Sequence, residues 1–301
     1  MPKPLTLQRP QGQFSAILHG ETGPLVVCLH GFPDNYHSFD ALLPTLLEAG
    51  YRVLTPVMRG YEPSSVQTDA NYAVLQLAED VIAWLDFLGE ERVFLIGHDW
   101  GAVTGWTAAA LAPQRFHAFV SLAIPHLGGF LPGLKTIPSQ LLYSWYMTFF
   151  QLRGLADWAV KQNDWALIRL LWRRWSPNWE APESVLRSVI STFEQPGVAS
   201  AALGYYRSMF RLWSAESKRA LALSQLPIKV PSLVLAGADD GCISPDMFEL
   251  CMASVRLPGF VEDQQLPGLG HFLHLEDSVA VITPILGFFY RWRVTGNALA
   301  Q

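Results

Sequence analysis

Residues 93–101 read Val-Phe-Leu-Ile-Gly-His-Asp-Trp-Gly, and this stretch decides the fold. The apolar run 93–96 has the composition of a short strand buried on both faces. Gly97 and Gly101 bracket a sharp turn, and residues 100–111 have helical composition. Together these form a nucleophile elbow, G-x-Nu-x-G, with Asp99 in the position serine often takes. A serine there attacks acyl carbon. A carboxylate is better suited to displacement at saturated carbon, and water can cut the ester it forms. The stretch points away from esterases and lipases, towards opening of epoxides or removal of halide.

Working outward, segments 4–7, 14–18 and 25–29 read as short strands punctuated by Gly and Pro. Residues 38–48 read as a helix, 51–54 as a strand, and 71–88 as a helix that stops near Gly89. A further strand is expected at 118–124. Strands alternating with helices imply an α/β fold, a mostly parallel sheet with helices on both faces. After Pro125 the alternation stops, and 126–226 carries only helical patterning. Seven of the chain's eleven tryptophans fall there, and its eleven Lys/Arg against six Asp/Glu reverse the sign of an otherwise acidic chain. This stretch reads as an inserted all-helical cap, with 1–125 and 227–301 forming the core. Taken singly, such aromatic residues fill cores; as a layer over a site they would exclude water. Strands are expected again at 230–236 and 260–265, then a last helix at 279–291 and a frayed tail at 295–301.

The chain has 301 residues and a formal net charge of −5, which offers nucleic acid no basic footprint. Residues 1–23 contain three prolines and no continuous apolar core, unlike a signal peptide. No run has the length and apolarity of a membrane span; 141–150 comes nearest but includes Tyr143, Ser144, Tyr146 and Thr148. Three cysteines, Cys28, Cys242 and Cys251, without C-x-x-C spacing fit a reduced, cytoplasmic protein. Cys28 lies in a buried-strand pattern and reads as a small apolar filler. With no H-E-x-x-H, Walker loop or strand-linked G-x-G-x-x-G, neither metal nor cofactor is expected. The expected partners are a small molecule and water, and nothing bears on oligomeric state.

An elbow nucleophile needs a base, an acid to orient it, and an oxyanion hole, in the chain order nucleophile, acid, histidine. Strand 230–236 leads into Gly237-Ala238-Asp239-Asp240, and the last strand into Leu266-Pro267-Gly268-Leu269-Gly270-His271. Both lie at carboxyl ends of strands, where crevices form in such sheets. Asp239 and Asp240 compete as the acid. His271 is preferred over His274, which reads as structural, and His98 reads as packing behind the elbow. Strand 25–29 ends in His30-Gly31-Phe32-Pro33-Asp34. The oxyanion donors are expected to be the backbone N–H groups of Phe32 and Trp100, with Pro33 and Trp100 also lining the substrate pocket. His30 and Asp34 read as structural.

These segments, His30-Gly31-Phe32-Pro33-Asp34, Gly97-His98-Asp99-Trp100-Gly101, Gly237-x-x-Asp240 and Gly270-His271-Phe272, resemble the α/β-hydrolase-fold epoxide hydrolases over nearly the full length. The resemblance implies an Asp-His-Asp triad with Asp99 as nucleophile, His271 as base and Asp240, rather than Asp239, as the orienting acid. It also implies two cap tyrosines that donate to the epoxide oxygen. Spacing alone leaves Tyr143 against Tyr146 and Tyr205 against Tyr206 open. The family's pattern in Tyr146-Met147-Thr148-Phe149-Phe150-Gln151 and Gly204-Tyr205-Tyr206-Arg207-Ser208-Met209 implies Tyr146 and Tyr206. The stretch Pro56-Val57-Met58-Arg59-Gly60-Tyr61-Glu62 departs from the family: Val57 replaces an acid and Glu62 a glycine. That departure bears on local structure, not on the chemistry.

The implied activity is hydrolysis of a small apolar epoxide to a diol. Haloalkane or haloacid dehalogenation is the competing enzymatic reading. It needs side-chain N–H donors for halide where Phe32 offers only its backbone. A non-catalytic protein holding an apolar ligand under the cap is the competing reading of another class.

Overall fold

The computed structural model describes residues 2–298 apart from Thr68 and Ala70, with side chains as far as Arg293. The described residues contain eight strands: β1 (Lys3–Arg9), β2 (Gly12–His19), β3 (Leu25–Leu29), β4 (Arg52–Pro56), β5 (Val93–His98), β6 (Phe116–Leu122), β7 (Ser232–Gly237) and β8 (Val261–Leu266). They form one sheet in the order β1-β2-β4-β3-β5-β6-β7-β8. Every residue of β3, β5 and β7 is buried, as parallel strands covered by helices on both faces require. From β4 to β8 all neighbours are parallel. β1–β2 and β2–β4 pair antiparallel, a feature the alternating pattern does not announce.

The chain runs from β3 outward to β4, then crosses back to β5 on the other side of β3. That reversal is a topological switch point, where the loops leaving two adjacent strands diverge and open a crevice. Here the loops are the one after β3, carrying Phe32, and the elbow after β5, carrying Asp99. One face of the sheet is covered by helices Val74–Leu88 and Trp100–Leu111 through Leu77, Val81, Trp84 and Trp106. The other is covered by helix Ser278–Ala298 through Val281, Ile285, Phe288 and Phe289.

Between β6 and β7 the described residues contain helices only, from Phe130–Thr136 to Ala215–Ser224. Their aromatic residues divide: Trp165, Trp172 and Trp175 are buried, whereas Trp158 and Trp213 are 61% and 76% exposed. Hydrogen bonds tie this segment to the loops above the sheet, among them the following. Trp172 Nε1 donates to Pro33 O (2.7 Å), Asn35 Nδ2 to Ser188 O (3.0 Å) and Tyr205 Oη to Arg59 O (2.6 Å).

Several boundaries differ from expectation for identifiable reasons. Instead of one helix over 38–48, a 3₁₀ turn at Tyr36–Phe39 precedes a helix at Leu43–Glu48. Pro44 lacks an N–H and suits only a first helical turn. The helix expected from 71 begins at Val74, and the strand expected from 230 begins at Ser232, after Pro231. The last helix runs on to Ala298, so 295–298, expected to fray, are helical; 299–301 lie outside the described residues.

The departing loop at 57–62 is well tied. Glu62 accepts from Ser15 N (2.6 Å) and Ser15 Oγ (2.7 Å), so the acid that replaces glycine fastens the loop to β2. Val57 is buried. Beneath the loop, Arg59 forms a two-pronged ion pair with Asp80, 2.6 Å on each arm, and Arg9 joins the same carboxylate.

Candidate active site

Asp99 sits between β5 and helix Trp100–Leu111 with φ 49° and ψ −118°. This is a region non-glycine residues rarely occupy, and the surrounding packing must enforce it. Two glycines permit it. A Cβ on Gly101 would run into the Leu29 carbonyl, and one on Gly31 into the Asp99 side chain. The loops after β3 and β5 therefore approach backbone to backbone. As a result Phe32 N–H donates to Asp99 Oδ1 at 2.7 Å. Trp100, the first residue of its helix, has an N–H with no intrahelical acceptor.

The other carboxylate oxygen, Asp99 Oδ2, lies 3.5 Å from His271 Nε2. On the far side of the ring, His271 Nδ1 meets Asp240 Oδ2 at 2.8 Å. Asp240 Oδ1 accepts from Cys242 N (2.6 Å) and Ile243 N (3.1 Å). These donors fix the carboxylate, so Nδ1 carries its proton towards Asp240 and Nε2 faces Asp99. His271 is fully buried. Burial alone would lower its pKa, but the two flanking carboxylates, Asp240 first, outweigh it and raise the imidazole to about 10. Asp239 is engaged instead by Asn178 at the surface.

Four other side chains behave as supports. His98 Nε2 donates to His271 O at 3.0 Å, so it holds the loop carrying His271 in addition to packing behind the elbow. His30 Nε2 accepts from Met58 N–H, which leaves Nδ1 to donate to Gly31 O. His274 Nε2 meets Ser38 Oγ, whose hydroxyl donates to Asp34. Burial lowers His30 to about 4 and His274 to about 3, and raises Asp34 to about 7.

Tyr146 and Tyr206 are both buried, with ring centroids 5.5 Å apart, and both feel the charge of Asp99. Tyr206 packs edge-on against Phe32 and Trp100, and its hydroxyl lacks a partner in hydrogen-bond geometry. Burial raises both phenols well above their ordinary value, and the Asp99 charge adds to the effect on each. Both hydroxyls are therefore neutral donors within the field of the carboxylate. The competing tyrosines are elsewhere. Tyr205 spends its hydroxyl on Arg59 O. Tyr143 lines a cleft of about 610 Å³ beside Asp239, Arg174 and Pro245. Pro33 is buried, with its carbonyl taken by the Trp172 indole.

An alpha/beta hydrolase fold model matches residues 24–278. An epoxide hydrolase of Caballeronia sordidicola is 30% identical over 299 residues, covering 88% of this chain and 87% of that protein. Epoxide hydrolase A of Mycobacterium tuberculosis is 29% identical over 306 residues, covering 89% and 91%. This chain belongs to the epoxide hydrolases of the α/β-hydrolase fold. A solved epoxide hydrolase from Vigna radiata superposes with a TM-score of 0.82 at 25% identity, covering 96% of this chain and 98% of that one.

Within this epoxide hydrolase framework, two contributors escape a reading of the sequence. Trp175 O accepts from both Gly241 N (3.0 Å) and His271 N (2.9 Å). One carbonyl from the helical segment thus clips the acid loop to the histidine loop. A backbone acceptor leaves no mark in a sequence. The second is Cys242, whose Sγ lies 3.2 Å from Tyr146 Oη. Its thiol, the Asp99 carboxylate and the His271 ring offer atoms within 4.8 Å of one another. Its place two residues after Asp240 was the only available signal.

Proposed function

We propose that this chain hydrolyses a small apolar epoxide to a vicinal diol through an ester on Asp99. Residues 126–226 act as the cap and the remainder as the core. What supports the reading is a pair of adjacent buried phenols that feel the Asp99 charge, together with a carboxylate whose second oxygen faces a histidine–carboxylate pair. A carboxylate alone suits either an epoxide or an alkyl halide. Two O–H donors opposite it suit a leaving group that must become an alcohol.

In the first step ionised Asp99 attacks an epoxide carbon and the ring C–O bond breaks. Tyr146 and Tyr206 donate to the departing oxygen, and one gives it a proton. General acid assistance of this kind is typically worth about 10²–10⁴-fold. At neutral pH His271, raised to about 10, begins as an imidazolium. Once Asp99 is esterified, one of the two carboxylates that held this proton is neutral. His271 can then return the proton to the tyrosinate and become a free base. In the second step His271 takes a proton from water, and the resulting hydroxide attacks the ester carbonyl. The amides of Phe32 and Trp100 hold the tetrahedral oxyanion; one such donor is typically worth about 3–4 kcal/mol. Collapse leaves the diol, ionised Asp99 and protonated His271, which is the starting state.

The discriminating assay offers styrene oxide, a long-chain fatty epoxide and a chloroalkane to the wild type and to Asp99→Ala. Diol from an epoxide, absent in the variant, is the expected result. Halide release without diol would overturn the assignment in favour of dehalogenation, and tight binding without turnover would favour a binding protein.

A further inference from the structure

Cys242 is not needed by the reaction above, yet its sulfur faces the nucleophile and the base. We propose that Asp99, Cys242 and His271 form a site for a thiophilic divalent cation, Zn²⁺ or Cd²⁺, which occupies the nucleophile and silences the enzyme. Cation binding is independent of the proposed reaction; only the block on turnover rests on it.

Three observations support the site. The first is donor chemistry: a thiol, an imidazole and a carboxylate are the ligand types zinc prefers. The second is geometry. Donor atoms all within 4.8 Å of one another place an ion at their centre no more than about 2.8 Å from each. Zinc bonds run about 2.0–2.3 Å, so adjustments of less than about 1 Å complete the set. The third is an aimed ligand: His271 Nε2 is fully buried, faces Asp99 Oδ2 at 3.5 Å and makes no hydrogen bond among the described residues. Its opposite nitrogen is already held by Asp240, the carboxylate–histidine arrangement that orients metal-ligating imidazoles.

Charge balance favours the exchange. At rest the site holds two carboxylates and an imidazolium. Binding one divalent cation expels the imidazolium proton and the thiol proton and leaves a neutral imidazole and a thiolate. The net charge of the site is unchanged, so the buried environment pays no added cost for a net charge. Affinity should therefore rise with pH, with close to two protons released per ion. A second cluster, Asp34, His98 and His274, is less available, because Ser38 occupies Asp34 and His274 while His98 is bound to the His271 carbonyl.

The test uses the metal-free full-length protein, with Cd²⁺ for absorbance and Zn²⁺ for inhibition. Cd²⁺ should bind one per chain with a thiolate-to-metal charge-transfer band in the ultraviolet. Zn²⁺ should inhibit epoxide turnover competitively. In Cys242→Ala the band should vanish. Even outer-shell partners are worth about 10–100-fold in metal affinity, so the Zn²⁺ inhibition constant should rise by about 100-fold or more. Each variant is judged by its inhibited-to-uninhibited ratio, and Cys242→Ser supplies an isosteric replacement should Cys242→Ala fold poorly. Equal inhibition of wild type and both variants, Cd²⁺ bound without the band, or binding lost only in His274→Gln would overturn the proposal. A band in a protein that hydrolyses no epoxide would sustain the cation site and reject the reaction.

Discussion

His271 makes the behaviour of the site depend on pH. Its folded pKa of about 10 stands above its ordinary 6.5, so the folded state holds this proton more tightly than the unfolded one. The resulting stabilisation is complete below about pH 6.5 and is lost as pH rises through about 10. Urea unfolding of the wild type and His271→Gln at pH 6 and pH 10 should show the advantage of the wild type shrinking at the higher pH; a constant difference would contradict the assignment. The buried neutral histidines work in the opposite window. His30 and His274, lowered to about 4 and about 3, withdraw stability as pH falls below about 6.5. Replacing Asp240 by Asn removes the charge that orients His271. By analogy with triad enzymes, hydrolysis should slow by about 10⁴-fold while alkylation continues, so intact-protein mass should show a substrate adduct accumulating.

At the scale of elements, helix Val198–Met209 sets two adjacent tyrosines to different work. Tyr205 points back to the Arg59 carbonyl and Tyr206 towards Asp99's field. Tyr205→Phe leaves that buried carbonyl without its donor and should cost about 1–3 kcal/mol of stability with little change in alkylation rate. Tyr206→Phe should do the reverse, slowing alkylation by about 10–100-fold with stability nearly intact; Tyr146→Phe should behave similarly, and the double variant should lose turnover. Stopped-flow tryptophan fluorescence and thermal unfolding read the two effects. Nearby, Arg59→Met strands the buried Asp80 carboxylate, which keeps only its Arg9 partner, and should cost about 3–5 kcal/mol.

The same elements show what could be read from the sequence. The elbow was legible because Gly97 and Gly101 flank Asp99 between an apolar run and a helix. The Asp240–His271 pairing was legible because each residue follows a strand in a fixed order. The antiparallel β1–β2 edge was not, since strand direction is set by pairing, not by composition. Nor were the Trp175 carbonyl, the Glu62–Ser15 tie and the Cys242 thiol, which become meaningful only when distant loops meet.

For the whole molecule, the sheet supplies three loop ends and the helical segment closes over them. Asp99, Tyr146, Tyr206 and His271 are at most 4% exposed, so chemistry there proceeds with little bulk water, where charge–dipole interactions are strongest. Such closure matters most for a covalent route, because one water must be admitted to the ester and others kept from the attack on the ring. A single turnover in ¹⁸O-labelled water, with enzyme in excess over epoxide, tests this directly. The label should appear in the Asp99 carboxylate, found by peptide mass, with the first diol unlabelled. Label in the diol and none in Asp99 would mean that water opens the ring itself, and the covalent account would be wrong.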